Sequence, residues 1–330
     1  MLRAVIKILS RYYRRLLPMV SHAAQARLLD EADLRELALY AQSLPWSLLE
    51  FRRHASHSLI GETQSHHRGR GFEFEENRAY QPGDEPRLLN WRLYARTGDL
   101  YTKAFSEERR PQVFLLVDRR AAMRFATRKQ LKAALAAKIG ACYAYQAQRQ
   151  ALAVGGLILD QAAQWFNPAM GEVPLHTFLQ SLAASCPPLD FEGQQPDLGE
   201  NLNLLIHRLP AGSHVVLISD FSDLDPDFAM PGLHQLATLH TLCAIQILDP
   251  IEQRLPASGD FLIEDSTSPQ PFRIDGRDDR QQTLYTQAFR ERQSKLAACF
   301  NSSGIPFKLC TTQDDVETCL EQTDADANAH

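Results

Sequence analysis

Two carboxylates stand where a parallel sheet would put chemistry. Asp118 closes the apolar run VFLLV (113–117), and Asp220 closes HVVLIS (214–219). Strands of that form are buried on both faces, and they end at the carboxyl edge of an open α/β sheet, where ligands collect near the switch in strand order. Acids so placed suit a divalent cation, proton transfer or a phosphorylated aspartate. Each use needs companions. A serine hydrolase needs a G-x-S-x-G elbow and a placed histidine, and Ser219, Ser222 and Asp223 in ISDFSDLD have neither. Ser222 reads instead as a helix or turn cap. An aspartyl phosphate at Asp118 would call for Mg²⁺ and a second acid nearby, yet position 120 is Arg. The phrases GRG and AVGG lack the Lys-Ser/Thr of a phosphate loop, and Gly155-Gly156 falls inside a strand. No catalytic set assembles, so the chain reads as a non-enzyme without cofactor or metal. The alternative is a metal-dependent hydrolase or phosphatase-like enzyme working in the Asp118/Asp220 crevice.

Composition narrows the field further. The chain has 330 residues and a formal charge of −5, which gives no global pull toward nucleic acid. The basic phrase HHRGRG (66–71) is followed by an equal load of Glu and Asp, which disfavours a phosphate-tracking surface. His66-His67 lacks companion ligands. Six cysteines are scattered without a CxxC pair and read as small core residues in a reducing compartment. No run reaches the roughly 18 apolar residues that span a bilayer. A cytoplasmic protein is expected. Residues 1–20 form a basic amphipathic pattern, with Leu2, Val5, Ile6, Leu9, Tyr13, Leu16 and Leu17 at helical spacing. Such a helix packs on its own domain or touches the inner face of a membrane peripherally.

The elements that must position the two aspartates follow from periodicity. Asp30 caps a helix carrying Leu34, Leu37, Ala38 and Ala41, and a short helix spans Trp46–His54. From Pro111 strands and helices alternate: a helix at 127–149, strands at 153–159 and 164–166, helices at 175–184 and 198–209, then a helix at 234–239 and a strand at 242–248. A hairpin at 261–274, a helix at 281–300, a strand at 307–310 and a helix at 314–320 complete the order. Strands separated by helices of this length imply a doubly wound, mostly parallel sheet. A helical N-terminal segment (1–67) and a charged, β-rich arm (68–110) precede it; the α/β domain covers 111–320, and 321–330 is a polar tail.

The arm carries a signature. GRGFEFEENRAYQPGDEPRLLNW followed by ARTGDLYTKAFSEERRPQVFLLVD resembles the DUF58 family, with Gly69, Gly71, Glu73, Phe74, Arg78, Tyr80, Gly83, Asp84, Arg87, Trp91, Ala95, Arg96 and Lys103 in order. Asn90 stands where that family usually has Asp. The resemblance implies a von Willebrand factor A-like domain after the arm. It also implies a bacterial adaptor that works with a protein partner, a MoxR-type AAA+ ATPase, in assembling or maturing complexes.

In the domains this one resembles, an Asp-x-Ser-x-Ser turn, a Thr from a later loop and a second Asp hold a divalent ion. By that resemblance Arg120 and Ala122 occupy the two Ser positions and Pro196, in PDLGENL, occupies the Thr position. Asp118 and Asp220 alone remain, so the site is expected to be degenerate. Arg120 offers five donors and a fixed charge that can pair with one or both carboxylates. In the opposite case it points to solvent and Asp118 caps the following turn. If Arg120 replaces the ion, exchanging Arg120→Ser, Ala122→Ser and Pro196→Thr is expected to restore Mg²⁺ binding.

Overall fold

The computed structural model describes residues 27–44, 72–81, 86–107, 112–127, 129–186, 195–263 and 272–321. The helices expected at 1–20 and 46–54 lie outside these residues, as do Gly69, Gly71, Gly83, Asp84 and the tail from 322 onward.

Alternation along one strand explains the layers. In β3 (Gln112–Asp118) Val113, Leu115 and Val117 pack into one apolar layer, and Phe114 and Leu116 into the other. Both faces of the strand are therefore covered, which is why the run is apolar throughout. Around it lie β4 (Ala153–Leu159), β5 (Ala163–Ala169), β6 (His214–Ser219), β7 (Thr241–Leu248) and, at one edge, β10 (Phe307–Thr311). The spatial order is β10-β7-β6-β3-β4-β5; every pairing is parallel except the antiparallel edge β4–β5. Strand order reverses at β3, so the switch point lies between the carboxyl ends of β3 and β6. This is the doubly wound, von Willebrand A-like α/β sheet expected from the sequence.

Helices α1 (Glu31–Ser43), α3 (Lys132–Arg149) and α4 (Glu172–Leu182) cover one face; α5 (Leu198–Arg208), α6 (Pro226–Leu239) and α8 (Asp279–Ser302) cover the other. Gly156 lets α4 approach the sheet. A Cβ there would lie 2.5 Å from the Phe178 ring and 2.8 Å from the Leu115 carbonyl oxygen. Asp30 forms a capping box with Asp33 at the start of α1. Leu37 and Ala41 then enter the same apolar layer as α3.

The chain divides into a unit of residues 54–110 and a unit joining 1–53 to 111–330. The separate N-terminal segment ending at residue 67 is thereby corrected: α1 belongs to the α/β unit, because its apolar stripe completes that unit's core. In the smaller unit, β1 (Phe72–Ala79) and β2 (Tyr101–Glu107) pair antiparallel, with α2 (Trp91–Thr97) between them. Short elements α7 (Pro250–Gln253), β8 (Asp260–Ile263), β9 (Phe272–Asp275) and α9 (Val316–Glu321) complete the larger unit. Among the described residues no helix is long and apolar enough to cross a membrane.

Two helix starts differ from the periodicity by more than a turn. Helix α3 begins at Lys132 rather than 127, because side chains of the 119–131 loop are bound to neighbouring strand ends. Helix α6 begins at Pro226 rather than 234, set by the Asp225 cap, whose side chain accepts from Asp227 N, and by proline at the first position.

His240, at the α6–β7 junction, is 5% exposed, and neither ring nitrogen has a hydrogen-bond partner. Burial lowers its pKa to about 4. The neutral ring is thus favoured in the fold, so its contribution is complete above the unfolded value of about 6.5 and is lost as pH falls toward 4. Urea midpoints measured at intervals from neutral pH down to the carboxylate range are expected to fall in wild type, and to fall less in His240→Leu.

Candidate functional site

An aspartate follows four apolar runs in turn: Asp118 ends β3, Asp160 follows β4, Asp220 follows β6 and Asp249 follows β7. All four lie along the carboxyl edge of the sheet. One loop, residues 119–132, answers each of them.

Arg120 answers Asp118. Its backbone N and its Nε donate to Asp118 Oδ1 at 2.9 and 3.0 Å, and its Nη2 donates to Oδ2 at 2.7 Å. The same Nη2 reaches Asp223 Oδ1 at 2.9 Å; Nη1 donates to Asp223 Oδ2 and, at 3.0 Å, to the Pro196 carbonyl. The five N–H groups of the guanidinium are then all committed. Ser219 Oγ also donates to Asp118 Oδ2 at 2.7 Å and accepts from Phe221 N at 3.0 Å. Asp118 is 1% exposed and Arg120 7%. Burial by itself would lower the Arg120 pKa, but Asp118 and then Asp223 outweigh it and raise the value.

Asp220 has another partner. Lys132, the first residue of α3, places Nζ 2.8 Å from Asp220 Oδ2 and 2.7 Å from Glu252 Oε1, with Lys132 and Asp220 almost wholly buried. Asp220 Oδ1 accepts from Ser222 N at 3.0 Å, and Glu252 Oε2 from Asp249 N at 2.7 Å. Burial opposes charge on all three groups. Against it, Asp220 and then Glu252 raise the Lys132 pKa, and Lys132 keeps that of Asp220 low. For Glu252 burial prevails over Lys132 and its pKa is raised.

The remaining two aspartates are answered in the same manner. Asp249 accepts from Thr127 N at 2.8 Å, from the Thr127 hydroxyl, and from Thr312 Oγ1 at 2.7 Å. Asp160 pairs with Arg124 and with Arg119, the latter at 3.4 Å. Arg119 also donates to the carbonyls of Ser181, Leu182, Ala184 and Ser185 at the end of α4.

The residues expected at the crevice therefore divide. Asp118, Arg120 and the Pro196 carbonyl meet; Ala122 lies on the short 3₁₀ turn Ala121–Met123. Asp220 lies beside them in sequence order of the sheet but is bound to Lys132, not to Arg120. Ser222 proves not to be the local cap; that role is Asp225's. In the smaller unit Glu73, Phe74 and Arg78 fall on β1, Tyr80 just after it, Arg87 on a 3₁₀ turn, Trp91 and Arg96 on α2, and Lys103 on β2. Asn90 caps α2, its side chain accepting from Leu93 N at 3.1 Å.

Asp223, Ser219, Lys132 and Glu252 were not expected at the site. The available signal was the aspartate after each of VFLLV, GLIL, VVLIS and AIQIL, which asks for a cation or hydroxyl at every one. An implied divalent ion fits this donor set poorly, since both oxygens of Asp118 already accept hydrogen bonds and a guanidinium fills the adjoining space. Among the described residues no group of three or more His, Cys, Asp or Glu side chains is placed to hold a metal.

Fold and site together define an α/β protein of the von Willebrand A-like kind whose strand-end acids are held by groups of its own chain. The chain belongs to the family described as protein of unknown function DUF58, whose profile matches residues 76–295. Uncharacterized proteins of Mycobacterium tuberculosis and Mycobacterium bovis are each 31% identical to it over 252 residues, covering 75% of this chain and 77% of theirs. Similar solved structures include an aerotolerance-related membrane protein from Bacteroides fragilis (11% identity, 64% of this chain and 94% of that chain, TM-score 0.39). BatB from Bacteroides thetaiotaomicron is a second (12% identity, 64% and 93%, TM-score 0.40).

Proposed function

We propose that this chain is a non-enzymatic adaptor in which Arg120 stands where related domains hold a divalent cation. The observation that carries this reading is the commitment of all five guanidinium donors to Asp118, Asp223 and the Pro196 carbonyl. A cation meets a fixed positive charge there, and an anion meets no free donor. A hydrolytic reading is disfavoured on the same ground, because each acid at the edge already accepts from a cation or a hydroxyl and none is left free as a base. The partner proposed for it, from the resemblance of its arm signature, is a MoxR-type AAA+ ATPase, and the process proposed is assembly or maturation of protein complexes.

Calorimetric titration of the full chain with Mg²⁺ is expected to give no binding heat. Capture of the ATPase, loaded separately with its own nucleotide, is expected to survive EDTA. Mg²⁺ binding in the micromolar range, or loss of capture on chelation, overturns the reading.

A further inference from the structure

The smaller unit displays a helix that buries nothing. Helix α2 has seven residues, WRLYART, none of them buried. A helix this short does not persist on propensity. It is held by its ends: Asn90 caps the start, Gly98 at φ 79° closes the end with its N–H on the Tyr94 carbonyl at 2.8 Å, and Asn90 N donates to Tyr101 O at 2.8 Å. The structure therefore presents a preformed helical face, at a place where internal packing does not require one.

That face has a definite chemistry. At about 100° per residue, Tyr94, Trp91, Ala95, Arg92 and Arg96 follow one another around the outer side of the helix. Trp91 is 59% exposed and Tyr94 43%, and their rings meet edge to face at 6.3 Å. Leu100, just past the helix, is 40% exposed. Arg92 and Arg96, with Arg87 on the preceding turn, are exposed, and among the described residues no carboxylate pairs with any of the three. Trp, Tyr and Arg in uncovered association are the residue types that dominate binding energy in protein interfaces. Among the described side chains of this unit, these three guanidiniums stand against the single acid Asp99, which sets the sign of what would cover them.

We propose that the outer face of α2 docks a partner protein segment presenting an apolar side chain flanked by carboxylates. The apolar group covers the Trp91–Tyr94 pair, and the carboxylates take the open guanidinium forks of Arg92 and Arg96. The proposal rests on the adaptor reading and supplies it with a surface. It also explains why the strand-end crevice, fully paired within its own chain, need not carry the contact.

The test uses the full chain and a short fluorescein-labelled peptide alternating Glu with Leu and Phe, read by anisotropy. Its Gln-for-Glu counterpart and a labelled oligothymidylate run beside it. Wild type is expected to bind the Glu peptide, and Arg92→Glu/Arg96→Glu and Trp91→Ala/Tyr94→Ala each to weaken it about tenfold or more. Far-UV circular dichroism should be unchanged, since the four side chains are exposed. Equal binding of the Gln peptide, indifference to both double variants, or tighter binding of the oligothymidylate overturns the proposal, the last assigning the face to nucleic acid. Self-association lost in the same variants overturns it in favour of a second copy. Mg²⁺ calorimetry reads the crevice and is blind to α2, so either reading can fail alone.

Discussion

Lys132→Met is expected to lower the unfolding free energy by about 3–5 kcal/mol, a large part of a typical domain's stability. The change keeps the length of the side chain and removes the charge that Asp220 and Glu252 share at 2.8 and 2.7 Å. Two carboxylates would then sit buried without a cation. Their folded pKa values would rise above the unfolded ones, and for such groups stability is present below the unfolded pKa and lost as pH rises through the folded value. The penalty should therefore be greatest near pH 7 and shrink as pH approaches about 4. Adding Asp220→Asn and Glu252→Gln should recover most of the loss, because a hydrogen-bonded neutral set costs far less than unpaired charge. Urea denaturation across that pH range checks both points. A loss below about 1 kcal/mol at neutral pH would mean that the cluster is no more than a surface ion pair.

Much of the fold was legible because both faces of the sheet are covered. VFLLV and VVLIS leave no polar face to confuse the period, and their aspartates mark the carboxyl edge. Lys132 was not legible. In the Ala-rich sequence KAALAAKIG a lysine reads as the solvent side of a helix, and nothing local tells that Asp220 and Glu252, 88 and 120 residues on, converge upon it. Asp223 was hidden by backbone geometry. Phe221, between β6 and Asp223, adopts φ 52°, a left-handed turn unusual for a bulky residue and one the sequence does not announce. The separation of residues 1–67 failed on long-range packing too, since α1 earns its place only against α3.

Exchanging Arg120→Ser, Ala122→Ser and Pro196→Thr together is expected to create a Mg²⁺ or Ca²⁺ site, but not between the two aspartates that sequence singles out. Arg120 Nη2 lies 2.7 Å from Asp118 Oδ2 and 2.9 Å from Asp223 Oδ1, so its removal leaves two carboxylate oxygens facing one vacated position. A cation there needs oxygens drawn in to about 2.1 Å for Mg²⁺ or about 2.4 Å for Ca²⁺, and the smaller shift favours Ca²⁺. Asp220 stays with Lys132. The regained binding should thus vanish in a further Asp223→Asn variant and persist in a further Asp220→Asn variant, where Lys132 keeps Glu252. Isothermal titration reads affinity directly. Thermal unfolding gives a second readout, because an ion bound at a hundred times its Kd stabilises by about 2.7 kcal/mol. Without the ion the threefold variant should be destabilised by several kcal/mol, for Asp118 is buried and would have lost the guanidinium that pairs with it. If the ion instead depends on Asp220 and ignores Asp223, Lys132 does not hold that aspartate in solution, and the division of the carboxyl edge between two cations is wrong.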